Sequence, residues 1–196
     1  MTAKHDISDE LADRIEEAID VTRDHLEEAH EEAPEALDDD IADLVFDLDD
    51  IDNAVDDAQD DEGDNPLGIV PATLDYVQAI ADNLAEQADI DALDDVEDDL
   101  EAVEELFDGL TITQSLWFAT VNEIPTLFDE QNVGPNALKK KGNVDGNPTD
   151  YSLHILPTPT ADHDENIGKI PSDDNDPVDL EEYTHFSTEK EHGGVV

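Results

Sequence analysis

Apolar residues recur at helical spacing through the first half of the chain. A first series follows Ser8, a residue type that caps helix starts, and comprises Leu11, Ile15, Ile19, Thr22, Leu26 and Ala29. A second series follows Pro34, which suits the first turn of a helix, and comprises Leu37, Ile41, Leu44, Leu48, Ile51, Val55 and Ala58. The residues between them are mostly Asp and Glu. The pattern predicts two amphipathic helices, each with one narrow apolar stripe.

Two further series follow a run of turn residues at 60–66. One begins near Pro71 and comprises Leu74, Val77, Ile80, Ala81 and Leu84. The other comprises Leu93, Val96, Leu100, Val103, Phe107 and Leu110, and Gly109 marks its end. The short connections at 31–35 and 88–91 favour antiparallel neighbours. Such narrow stripes fit helical hairpins, a bundle or an oligomeric coiled coil.

The segment 110–128 carries the least charge in the chain and holds its only tryptophan, Trp117. One interpretation is a buried central helix that completes the bundle. Another is an exposed aromatic anchor for a second subunit, because tryptophan is enriched among residues that dominate binding energy. Glu123 and Pro125 make the segment too polar for a membrane span.

The chain changes character at Gln131, where proline and glycine become frequent. Residues 151–156 alternate like a strand, and residues 183–188 form a second candidate strand. Isolated strands separated by linkers rich in proline and aspartate do not make a domain. We therefore expect either an arm that lies across a neighbouring chain or a flexible tail. The triplet Lys139–Lys141 is expected to contact acidic helices, of its own chain or of a neighbour.

These elements predict an all-α fold. It consists of a four- to five-helix antiparallel bundle, or helical hairpins, followed by an extended, partly β or disordered C-terminal arm. The predicted division is an acidic helical bundle over residues 1–130 and a Pro/Gly-rich arm over residues 131–196.

The net charge of the chain indicates the salt concentration at which such a protein is folded. The chain has 57 Asp and Glu against 8 Lys and Arg, a net charge of −49. This charge would oppose compaction in dilute buffer, whereas molar salt reduces the Debye length to about 3 Å. The composition indicates a cytoplasmic protein of a salt-in extreme halophile. The same acidity excludes nucleic-acid binding by phosphate neutralisation. The chain has no cysteine, and its N-terminal residues lack the apolar run of a secretory signal.

No motif predicts a catalytic, cofactor or metal site. Glu-x-x-His spacing, which bundle di-metal sites use, occurs at Glu27/His30, Glu182/His185 and Glu189/His192. Only Glu27 and His30 fall on a predicted helix, and Glu27 lies off its apolar stripe. The closeness of Ser152 and His154 is interpreted as coincidence.

A diglycine, Gly193-Gly194, stands near the end of the sequence. Ubiquitin-like modifiers end in Gly-Gly, but here Val195 and Val196 follow, and no β-grasp pattern is recognisable in the residues before it. The sequence therefore does not favour a processed modifier.

The resulting functional hypothesis is a non-enzymatic helical assembly protein that binds protein partners, most simply as a homo-oligomer. A subunit of a ring or a virion is the architectural analogue. The predicted contact residues are Trp117, Phe118, Phe128, Tyr151, Lys139, Lys140 and Lys141. The alternatives are a monomeric adaptor or chaperone that binds a client protein, and a bundle metalloenzyme that uses Glu27 and His30. No cofactor, nucleic-acid partner or membrane association is expected.

Overall fold

A computed structural model describes residues 7–34, 36–60, 65–88, 90–159, 161 and 165–190. The chain divides into two compact units, Met1–Ser115 and Leu116–Val196. The observed boundary lies earlier than the boundary predicted after residue 130. The reason is that residues 117–128 pair with strands of the second unit.

In its described residues, the first unit is built from four α-helices and one short 3-10 helix. The α-helices are α1 (Asp9–Glu32), α2 (Asp38–Gln59), α3 (Val70–Gln87) and α4 (Asp91–Phe107), and the 3-10 helix Pro66–Ile69 precedes α3. Helix α1 contacts α2 and α4, and α3 also contacts both. The helices thus form a bundle in which chain neighbours pack side by side and the last helix returns to the first.

Helix α1 begins and buries its side chains where the spacing predicts. The Ser8 hydroxyl accepts a hydrogen bond from the Leu11 amide at 3.2 Å, which satisfies one free N–H of the first turn. Of the predicted stripe, Leu11 is half-buried and the other members are buried. These side chains join the stripes of the other helices in one apolar core.

Charged contacts link α1 to both of its neighbours. The Arg23 guanidinium donates to Asp49 at 2.8 Å and to Asp52 at 2.9 Å, both on α2. The His25 Nδ1 atom lies 2.6 Å from the Asp99 carboxylate on α4. The Asp99 hydrogen bond raises the pKa of His25 above its usual value, because it stabilises the imidazolium. Arg23 and His25 therefore connect α1 to its two neighbours.

The chain beyond α4 is extended. Gly109 has a φ of 91°, the left-handed conformation that ends many helices. The Asn65 side-chain amide donates to the Thr113 carbonyl at 2.6 Å, and the Ser115 amide donates to the Gly68 carbonyl at 2.8 Å. These bonds fasten the segment to the 3-10 helix and leave no helix over residues 110–115.

The second unit combines strands with one short helix. Its described elements are β1 (Trp117–Val121), β2 (Ile124–Phe128), β3 (Asn132–Val133), α5 (Pro135–Lys141), β4 (Tyr151–Ile155), β5 (Gly168–Ile170), β6 (Val178–Asp179) and β7 (His185–Lys190). Five strands form a mixed sheet in the order β2-β1-β7-β4-β5, while β3 pairs with β6. Strands β1 and β7 are parallel, and every other neighbouring pair in the mixed sheet is antiparallel.

One face of the sheet carries the core of this unit. Helix α5 contacts β1 and β4, and its Leu138 is fully buried. The buried core residues of the unit are Ala119, Val121, Val133, Leu138, Leu153, Ile155, Val178, Leu180 and Phe186. Odd-numbered residues of β1 and β4 and even-numbered residues of β7 share this face, as the register and the period of two require.

The predictions of an all-α fold and of a C-terminal arm are wrong. The chain is α+β, because the two candidate strands pair with each other: Leu153 lies opposite Thr188, and Ile155 lies opposite Phe186. Each strand alone buries too little apolar surface to be stable, but together with β1 and α5 they enclose a core. The linkers between them return the chain to the sheet.

The segment 110–128 does not form the predicted buried central helix. Residues 117–128 are the hairpin β1–β2, with Trp117 opposite Phe128 and Val121 opposite Ile124. Asn122 and Glu123 form the turn with φ values of 53° and 65°. Positive φ at both positions produces the mirror-image turn whose twist matches that of a two-stranded ribbon.

The mixed sheet has β-grasp topology. A hairpin leads into a helix, the next long strand is added two places away, and the last strand returns to the centre, parallel to the first. The expectation that no β-grasp pattern precedes Gly193-Gly194 is therefore wrong, although the diglycine itself lies outside the described residues. In the described part of the chain, no helix has both the length and the apolar character needed to cross a membrane.

Candidate functional site

The candidate site is the end of the central strand β7, where the side chain of Asn122 replaces a missing strand partner. The backbone of β1 turns away after Val121. The Asn122 amide still donates to the Phe186 carbonyl at 2.9 Å, which continues the parallel ladder. Two residues farther along β7, the Thr188 amide donates to the Asn122 side-chain oxygen at 2.8 Å. The side chain thus holds β7 beyond the last residue of its neighbour.

The same asparagine also fixes the end of α5. Its side-chain nitrogen donates to the Gly142 carbonyl at 2.9 Å. Gly142 packs against β1 so closely that a Cβ atom there would lie 2.5 Å from a Val121 methyl group. The turn, the end of α5 and the final strand therefore meet at one side chain. On its other side, β7 stays paired with β4 as far as Lys190, opposite Tyr151.

A polar cluster lies on the sheet face away from Leu153. The Ser152 hydroxyl is 3.2 Å from His154 Nε2, and a Glu189 carboxylate oxygen is 3.4 Å from the same nitrogen. The Lys169 ammonium lies 3.6 Å from that carboxylate. In a catalytic triad the serine and the carboxylate contact opposite ring nitrogens, so this arrangement is not a charge-relay geometry. Ser152 and His154 are also buried, at 0% and 4% exposure, and a nucleophile needs access to its substrate.

A second polar contact lies on the same face between β1 and β7. The Thr120 hydroxyl is 3.0 Å from His185 Nδ1. Burial lowers the pKa of His185 below its usual value, because desolvation disfavours the imidazolium. This histidine is therefore held neutral near pH 7, and it contributes to strand pairing.

The predicted aromatic contact residues lie in and around the hairpin. Trp117 and Phe128 face each other across β1 and β2 and pack, half-buried, against the core of their unit. Phe118 is half-buried and points to the opposite face. Tyr151 is buried, and its hydroxyl donates to the Asp145 carbonyl at 2.8 Å.

The three lysines of the triplet lie on α5 and differ in burial. Lys139 is fully buried, whereas Lys140 and Lys141 are exposed. The Lys141 ammonium lies 6.0 Å from the centre of the Phe128 ring, at the limit of a cation–π contact. The structure therefore brings Trp117, Phe128 and Lys141 together, whereas the Lys190 ammonium lies 5.8 Å from the centre of the Tyr151 ring.

The Glu-x-x-His pairs are not gathered into one centre. Glu27 and His30 line a groove between α1 and α2. Glu182 and His185 fall on a turn and a strand, where residues i and i+3 do not share a face, and His192 lies outside the described residues. Over the described ranges, no group of three or more His, Asp or Glu side chains is placed to hold a metal ion.

Sequence reasoning missed the role of Asn122 and the contact of Glu189 with His154. Asn122 had a usable signal, because an asparagine between two alternating apolar runs is a turn residue. Glu189 had none, since its nearness to His154 depends on pairing β4 with β7. Comparison with protein-family models, curated proteins and solved structures finds no match to this chain.

Proposed function

We propose that the chain is a non-enzymatic protein that acts by contacting other proteins, and that its second unit is a ubiquitin-like module cleaved after Gly194. One observation carries the proposal. The strand that ends at Lys190 is the central strand of a β-grasp sheet, and Gly193 and Gly194 follow it in the sequence after Glu191 and His192. The fold and the diglycine occur together in the order that such a modifier requires.

The anchoring of β7 supports this function. Strand β4 holds one side of β7, and β1 with the Asn122 side chain holds the other. Residues that follow a strand held on both sides start from a fixed point. An enzyme that recognises the folded unit can then act at a constant number of residues beyond that strand.

The proposed chemistry assigns no catalytic group to this chain. Hydrolysis of the Gly194–Val195 bond consumes one water and leaves a carboxylate on Gly194 and an amine on Val195. Cleavage at this bond does not depend on how much chain follows it. Joining the Gly194 carboxylate to an amine of another protein forms an amide and releases water. That step requires a separate enzyme and a nucleoside triphosphate.

The setting we propose is the cytoplasm of a salt-in halophile. A net charge of −49 on 196 residues supports this setting, because a chain with so much like charge stays compact only where salt screens the repulsion between its charges.

The proposal is tested in a salt-in halophilic host that expresses the chain with an N-terminal tag. Intact-mass analysis is expected to show loss of everything after Gly194, together with higher-mass tagged products. Gly194→Asp should abolish both species. Gly134→Ala is the matched control, since a Cβ atom at that exposed glycine meets no neighbour. A chain that keeps Val195 and Val196 and forms no higher-mass product would overturn the proposal.

A second candidate function is assembly of identical subunits, as in a ring or a virion. The incomplete burial of Trp117, Phe118 and Phe128 favours it, because half-exposed aromatic side chains are common at interfaces. Light scattering behind size exclusion in molar KCl is the test. A defined oligomer that dissociates in Phe118→Ala would support assembly, and a monomer in both proteins would exclude it.

A further inference from the structure

The most exposed aromatic side chain described by the structure lies on the helical bundle. Phe46 on α2 is 67% exposed. The buried stripe of α2 runs through Ile41, Leu44 and Leu48, and Phe46 points away from it. The bundle core therefore does not use the Phe46 side chain.

Phe46 forms one wall of a groove between α1 and α2. The groove encloses about 430 Å³, a volume within the usual range of ligand and side-chain pockets. Its apolar lining consists of Leu26, Ile41, Ala42, Val45 and Phe46. Leu26 and Ile41 are fully buried and form the floor, while Phe46 rises above it.

The rim of the groove is acidic. Glu27, His30 and Glu31 of α1 line it, and none of its described lining residues is Lys or Arg. Arg23, the arginine of α1 that is closest in sequence to Glu27, is already paired with Asp20, Asp49 and Asp52. An apolar groove bordered by uncompensated carboxylates favours a ligand that combines large apolar side chains with positive charge.

We propose that this groove binds an amphipathic helix of a partner protein, with apolar side chains packed on Phe46 and Val45 and with Lys or Arg beside Glu27 and Glu31. A helix is the expected shape, because a groove between two helices accepts a third helix lengthwise. A second copy docked groove to groove does not fit, since it would bring Glu27 and Glu31 of both copies together. Molar salt leaves repulsion at contact distance in place.

The test is a titration of a fluorescent helical peptide of about 18 residues, long enough to form a helix. One face of the peptide carries Leu and Phe, and the other carries Lys and Arg. In molar KCl, Phe46→Ser is expected to weaken binding about 10-fold or more, the loss typical of a central anchor. Val21→Ser is the matched control: Val21 is 43% exposed and lines a different groove, between α1 and α4, and its loss should leave the affinity unchanged.

Two double variants distinguish the contribution of the rim glutamates to peptide binding from that of the overall negative charge. Glu27→Gln with Glu31→Gln is expected to weaken peptide binding about 3-fold or more, because two contact pairs are lost. Glu97→Gln with Glu101→Gln removes the same charge from the exposed face of α4 and should change the affinity less than about 2-fold.

Three results would overturn the proposal. The first is the absence of peptide binding to the unaltered chain in molar KCl. The second is equal weakening by Phe46→Ser and Val21→Ser, which would show unspecific attraction to an acidic surface. The third is a dimer of the unaltered chain that Phe46→Ser dissociates, which would assign the groove to a second copy. Circular dichroism of each variant verifies that the bundle remains folded.

Discussion

The secondary-structure elements of the two units depend on contacts of different range along the chain. In the bundle, side chains a turn or two apart form one stripe, as Ile15, Ile19 and Leu26 do on α1. In the sheet, the contact between Thr120 and His185 joins residues 65 positions apart. A helical stripe is therefore visible in a short window of sequence, whereas a strand becomes stable only when its distant partners are present.

The units also differ in charge. Of the 57 acidic residues, 41 precede residue 111, where only Lys4, Arg14 and Arg23 are basic. The remaining 16 acidic residues share the second unit with five lysines. Self-repulsion is consequently concentrated in the bundle, and so is the dependence on screening.

The largest effect that follows is expected at low salt, where the bundle should unfold while the sheet unit stays folded. Lowering the salt concentration from molar KCl to about 0.01 M lengthens the Debye length to about 30 Å. We expect most of the helical circular dichroism signal, which arises mainly from the bundle, to be lost. The fluorescence of Trp117, which packs on the sheet core, should change little.

Simultaneous loss of both signals would contradict this expectation, because it would show that the sheet depends on salt as strongly as the bundle does. Titration with a neutral osmolyte instead of KCl provides the control. An osmolyte favours burial but does not screen charge, so it should restore less helix than KCl restores.

The difference in contact range also explains what sequence reasoning could predict. The four helices follow from apolar spacing and from local signals such as Ser8 and Gly109, whose roles the structure confirms. Residues 151–156 and 183–188 are recognisable as strands, but nothing local shows that they pair. The hairpin was obscured because the apolar run around Trp117 fits a buried helix equally well. The burial of Lys139 is unpredictable, since it depends on how α5 lies on the sheet.

A matched pair of core truncations tests whether each unit depends on its own core. Leu44 in the bundle and Leu153 in the sheet are both fully buried. Replacing either by alanine is expected to cost about 2–5 kcal/mol of stability. In denaturant titrations, Leu44→Ala should lower only the midpoint of the helical signal, and Leu153→Ala only that of Trp117 fluorescence. A shift of both midpoints by either variant would show that the units unfold together.

A smaller effect is expected at Asn122, the side chain that joins the turn, α5 and β7. Asn122→Gly permits the observed φ of 53° but removes the bonds to Thr188 and Gly142. We expect a loss of about 1–3 kcal/mol in the sheet unit and faster hydrogen exchange of the Thr188 amide. The bundle amides serve as the internal control. Unchanged exchange at Thr188 would show that β4 alone holds the end of β7.

The smallest predicted effect concerns pH, to which the two units should respond with opposite signs. The hydrogen bond to Asp99 raises the pKa of His25 above 6.5, so the stability that this contact adds is complete below pH 6.5 and is lost as pH rises through the raised value. Burial, and then repulsion from Asp50 and Asp43, raises the pKa of Asp47 to about 6 from 3.8. The folded bundle thus binds more protons than the unfolded chain between pH 3.8 and 6, and its stability falls as pH rises across that window.

His185 acts in the other direction, because burial lowers its pKa below 6.5. Its neutral form stabilises the sheet fully above pH 6.5, and this contribution is lost as pH falls through the lowered value. Denaturant titrations in molar KCl between pH 8 and pH 5 should therefore show the helical midpoint rising on acidification and the Trp117 midpoint falling. His25→Gln with Asp47→Asn should reduce the first trend, because Asp75, whose pKa burial also raises to about 6, remains in the bundle, and His185→Gln should flatten the second trend. Trends of the same sign would show that the net charge of the whole chain, and not these individual groups, controls the response of both units to pH.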